Sequence, residues 1–146
     1  LACAAFILQG RRPLIMSIKV TADDYDHVVA LYKENGYWGS VSKTNHAVLG
    51  FRDPVYQSTR ELAMSYFHEY FLIKNGKKTM RGYSPIISMN RFGKKWPGEE
   101  RELYDIAIWI SNYKHTPVTK NTNSPMLRKA TALERETADI SRDGRE

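Results

Sequence analysis

The dipeptide Asn35-Gly36 constrains this 146-residue chain more than any other feature. A two-residue hairpin loop of type I′ needs positive φ at both central positions, and Asn-Gly adopts that conformation at low cost. On one side of it lies His27 to Lys33, apolar on both faces except at its ends, and Trp38 to Lys43 returns on the other. Upstream, Leu14, Met16, Ile18 and Val20 alternate with Ser17 and Lys19, a period-two pattern that predicts a half-buried strand. Ala47 to Phe51 is a candidate fourth strand, stopped by Asp53-Pro54. These segments predict an antiparallel sheet of about four strands.

Helical signals flank the sheet. Ser58-Thr59-Arg60-Glu61 is a capping box. Leu62, Ala63, Tyr66, Phe67, Tyr70 and Phe71 then recur at three- and four-residue spacing until Asn75-Gly76. Residues 77–98 read as irregular, with a short strand around Pro85 to Met89. A further helix is predicted from Glu99 to Ser111, its first turn carrying Glu99, Glu100 and Glu102. Leu1 to Leu8 resembles the last two turns of a buried helix closed by Gly10, so the chain is expected to begin inside an element. The expected class is α+β, with residues 1–116 forming the body. Residues 117–146 read as a polar tail with a weak helix from Met126 to Thr137 behind Ser124-Pro125.

Composition bounds the function. One cysteine, Cys3, excludes an internal disulfide framework and a Cys-rich zinc module, and fits a reducing, cytoplasmic compartment. No apolar run approaches the roughly 18 residues of a membrane span. The net charge of +6 is densest at Lys74, Lys77, Lys78 and Arg81, then at Arg91, Lys94 and Lys95. Those residues surround turn glycines, which favours a solvated surface over a nucleic-acid track.

The spacing that carries chemistry lies in the hairpin. His27 opens a strand behind the acidic loop Asp23, Asp24 and Asp26. An even-length turn sets Trp38, Ser40, Ser42 and Thr44 on the face of His27; an odd one sets Lys43 and Asn45 there. Either way a hydroxyl or amide can approach one imidazole nitrogen and leave the other free to move a proton. Asp24, Asp26, His27 and His46 form a possible divalent-metal set, although a solvated loop beside two unrelated histidines accounts for them better. Tyr66-Phe67-His68-Glu69-Tyr70-Phe71 reads as core at helical spacing rather than as a stacking platform. No G-x-S-x-G elbow is present, and neither His68 nor His115 has an evident partner.

A helix ending in Gly, a strand, His27 opening a second strand, and a hairpin return strand with an aromatic four residues before a polar side chain together resemble the transglutaminase-like group of papain-fold cysteine enzymes. The segments Asp26-His27-Val28-Val29-Ala30-Leu31, Trp38-Gly39-Ser40-Val41-Ser42-Lys43-Thr44-Asn45 and Arg60-Glu61-Leu62-Ala63-Met64-Ser65-Tyr66-Phe67 resemble an uncharacterised bacterial branch of it. The resemblance implies a papain-like core lacking its N-terminal part, with His27 as acid and base and Ser42 or Asn45 orienting it. The usual Asp position falls near Ser42, which lacks the charge. The nucleophilic cysteine is expected a few residues ahead of Leu1, and Cys3 is expected to point into the core. By this reading the chain is an inactive portion of a thiol-dependent acyl-transfer or amide-hydrolysing protein acting on a protein or peptide. No metal or organic cofactor is implied. The alternative is a small basic non-catalytic module that binds an acidic partner or nucleic acid through Lys74 to Lys95.

Overall fold

A computed structural model of the chain describes residues 1–44, 46–93, 95–98, 103–120 and 125–138. The hairpin forms as its turn dictates. Strands β2 (His27–Glu34) and β3 (Tyr37–Val41) pair from Glu34↔Tyr37 to Ala30↔Val41. Asn35 (φ 48°) and Gly36 (φ 88°) occupy the two left-handed positions between them. Strand β1 (Leu14–Val20) spans the predicted residues and pairs antiparallel with β2.

The sheet is wider than four strands. It has seven, in the order β4-β3-β2-β1-β5-β7, with β6 also on β1. Strand β4 is Phe51–Tyr56, β5 Met80–Tyr83, β6 Ile87–Ser88 and β7 Thr116–Pro117. Residues 47–49 form a 3-10 turn instead of a strand, and β4 runs through the Asp53-Pro54 expected to stop it. Pro54 is tolerated because β4 is an edge strand that needs donors on one side only. Strands β5 and β6 follow one another along the same edge of β1, at Val20–Ile18 and Ile15–Leu14.

Helices cover both faces. Helix α2 (Thr59–Ser65) starts where the capping box predicts: Ser58 Oγ accepts from the Glu61 amide at 3.1 Å and Glu61 Oε2 accepts from the Gln57 amide at 2.8 Å. Leu62, Ala63 and Tyr66 are buried against Met16, Ile18, Val29 and Leu31. Helix α2 ends sooner than its periodicity predicts, because the chain after Tyr66 turns to form a bridge between Phe71 and Lys78. On the opposite face, α1 (Ala2–Leu8) and α3 (Tyr104–Asn112) bury Cys3 and Ile110 against Ile15, Ala30 and Ile87. Central β1 is therefore covered on both sides rather than half-buried. Ser17 is fully buried and its hydroxyl bonds His115 Nε2 at 3.1 Å, which gives His115 a partner the sequence did not reveal. Of the predicted Glu99–Ser111 helix, residues 99–102 lie outside the described residues.

The C-terminal segment packs back on the body. Helix α4 (Ala132–Ala138) is capped by Thr131, whose hydroxyl accepts from the Glu134 amide while Glu134 accepts from the Thr131 amide; Ser124, the predicted cap, lies outside the described residues. The Ala130 amide donates to Gly76 O at 2.8 Å, and Arg135 reaches the carbonyls of Ile73 and Lys74.

Candidate active site

His27 pairs with Ile18 across the β1–β2 ladder and therefore lies on the α2 face. Its ring centroid is 6.3 Å from that of Tyr70. Together with Lys43, Thr44, His46 and Glu69 the two rings line a cleft of about 300 Å³ at the end of the sheet. Burial, reinforced by the nearby His46, pushes the imidazole of His27 below its ordinary pKa of 6.5, so it is neutral at neutral pH. Among the described residues, His27 Nε2 and the Tyr70 hydroxyl are both buried without a hydrogen-bond partner. Burial also raises the Tyr70 pKa far above its usual value, which keeps the phenol a donor.

The even turn settles the face. Ser40 pairs with Leu31 and so shares the face of His27, while the ladder ends at Ala30↔Val41, before Ser42 and Thr44. Ser42 does not reach the imidazole. Its hydroxyl donates to Leu49 O at 2.8 Å and its amide to Gly50 O. Thr44 lines the cleft, but its hydroxyl accepts from the His46 amide at 3.2 Å. Asn45 lies outside the described residues. His46, which the sequence suggested only as part of a metal set, bonds Ala138 O through Nδ1 at 2.9 Å. Tyr70, which the sequence places on the aromatic helix face, lies beyond the early end of α2 and lines the cleft with Glu69.

The acidic loop is pinned by hydrogen bonds and ion pairs while Asp23 stays exposed. Asp26 accepts from Lys19 Nζ at 2.6 Å and from the Val20 amide at 3.0 Å. Asp24 accepts from the Thr79 hydroxyl at 2.5 Å, and Asp23 pairs with Lys77 at 2.8 Å. Among the described residues no three His, Cys, Asp or Glu side chains come together as a metal site.

Cys3 is buried on the α1 face, its thiol donating to Leu14 O at 3.6 Å, and burial pushes its pKa up to about 11. The N-terminal end of α1 lies on the face of the sheet opposite His27, where Leu1, Ala2 and Cys3 share a largely apolar cavity with Val28, Ser42 and Lys43. The basic residues between 74 and 95 are dispersed. Lys77 is paired with Asp23, Lys78 is buried under the Phe71 ring and donates to His68 O, and Arg91 stacks 3.9 Å from the Trp109 ring. Lys94 lies outside the described residues. The aromatic run offers no open platform, since Tyr66 and Tyr70 are buried. No helix of the described residues is long and apolar enough to cross a membrane. Neither a protein-family model nor a curated protein matches this chain.

Proposed function

We propose that this chain carries the acid/base half of a thiol-dependent centre for acyl transfer or amide hydrolysis, with His27 as the proton carrier. The observation that carries the reading is a half-buried, neutral imidazole whose buried Nε2 has no partner among the described residues, set in a cleft rather than in the packed core. A neutral imidazole can take a proton from a thiol and return it to a leaving amine. Cys3 does not fit that role, being buried and held protonated. The sulfur this mechanism requires belongs ahead of Leu1. The orienting group is Asn45 in this reading, since the Ser42 hydroxyl is engaged by Leu49 O.

The test uses the full reading frame that encodes this chain, assayed for amide hydrolysis and for transfer of an acyl group from a peptide to a fluorescent primary amine. Alkylation of a single fast-reacting cysteine ahead of Leu1 should abolish turnover. His27→Ala should lower it by about 10²–10⁴-fold. Turnover that survives His27→Ala, or a frame with no cysteine there, overturns the proposal.

A further inference from the structure

Two buried tyrosines sit four residues apart, and among the described residues only one of them has its hydroxyl paired. Tyr66 is fully buried and its hydroxyl bonds Ser40 Oγ at 2.7 Å. Tyr70 is 5% exposed, packs edge-on against Tyr66, and has no partner for its hydroxyl among the described residues. An unpaired buried hydroxyl destabilises a fold, so its retention needs a reason outside folding. The second orphan, His27 Nε2, belongs to the adjacent ring and lines the same cleft. A donor that stays neutral beside a neutral imidazole suits an uncharged carbonyl, whose oxygen takes the donated hydrogen bond as charge develops on it.

Both orphan atoms are buried, and Ala138 at the end of α4 lines the same cleft. The segment from residue 125 to 138 is held mainly by hydrogen bonds, those of Ala130 to Gly76, Arg135 to Ile73 and Lys74, and Ala138 to His46. Its buried side chains are Ala130 and Ala138, whereas Met126 and Leu133 are 83% and 69% exposed. Segments with so little apolar anchorage open well below the global unfolding threshold.

We propose that Tyr70 is a substrate-binding residue whose hydroxyl donates to the carbonyl oxygen of the acyl group served by His27, and that the 125–138 segment covers this pair until a ligand displaces it. The acyl chemistry rests on the function proposed above; the carbonyl site itself does not need the thiol.

The experiment is a titration of isotopically labelled protein with N-acetylglycine amide, an uncharged amide, and with acetate, followed through the ring signals of His27 and Tyr70. The amide should shift both rings together. Tyr70→Phe should weaken its binding roughly fivefold, as expected for one hydrogen bond, without lowering Tm. Arg135→Ala, which frees the segment from Ile73 and Lys74, should strengthen binding. Unchanged affinity in Tyr70→Phe, a lowered Tm in that variant, weaker binding in Arg135→Ala, or acetate binding as tightly as the amide each overturns the proposal. Amide binding of the expected pattern together with an inert full reading frame leaves the carbonyl site standing and removes the thiol mechanism. Turnover that Tyr70→Phe leaves intact does the reverse.

Discussion

Single residues here divide by whether their polar atoms are paired. Ser40 and Tyr66 form a closed pair in the core, and breaking one side leaves the other buried and unsatisfied. Tyr66→Phe is therefore expected to cost about 1–3 kcal/mol in denaturant unfolding, while the double variant with Ser40→Ala should recover much of that loss. Cys3 is the converse case, a buried thiol treated by the fold as a small apolar side chain. With its pKa near 11, about one thiol in ten thousand is ionised at neutral pH. Labelling by a thiol reagent should be slow in the folded protein and become fast only on unfolding; rapid labelling in native buffer would contradict its place beneath α1. Arg52 shows how far one side chain can be committed. It stacks 4.2 Å from the Tyr66 ring, donates to Ser65 and pairs with Glu69.

Elements follow local rules at their starts and tertiary ones at their ends. The capping box places the first turn of α2, and the alternation of β1 gives its limits, because both signals operate within a few residues. The end of α2 does not follow its apolar stripe: Phe71 is claimed by a bridge to Lys78, and the Thr79 amide donates to Tyr70 O. Similarly β5 was hidden in a stretch rich in Gly and Lys, since pairing with β1 needs backbone groups rather than a hydrophobic pattern. Gly76 ties the element after α2 to the C-terminal segment. Its φ is +72°, and a Cβ there would lie 2.4 Å from Ala130 O. Gly76→Ala should cost more than about 1 kcal/mol and shift Ala130 from its place. Hydrogen exchange should report this as faster exchange of the Ala130 amide and of α4, with β1 to β3 little changed.

At the scale of the molecule, one sheet separates two apolar layers, and the histidines of interest are held neutral by burial. His27 and His115 both have folded pKa values below 6.5, with desolvation the largest cause in each. The unfolded chain then binds more protons than the folded one as pH falls through 6.5, so stability is full above that value and declines as pH drops toward the folded pKa values. A Tm profile from about pH 8 to about pH 5 should fall on the acid side, and His27→Gln should flatten part of the fall. A profile that rises on acidification would mean that the imidazoles gain partners on folding. Asp23 acts in a separate and lower window: paired with Lys77, its carboxyl sits near 2 instead of 3.8. Any stabilisation from that exposed pair is present above pH 3.8 and disappears only as acid protonates it.

The hairpin turn, the limits of β1 and the start of α2 were all legible in the chain alone, because each depends on backbone conformation or periodicity over a few residues. What tertiary structure decided is which of these groups meet. Ser42 turned to Leu49 O, His115 crossed 98 positions to Ser17, and Tyr70 and His46 were brought beside His27 by an early helix end and the returning C-terminal segment. Contacts between residues distant in sequence depend on how layers pack and which strand is central, and no local pattern encodes that.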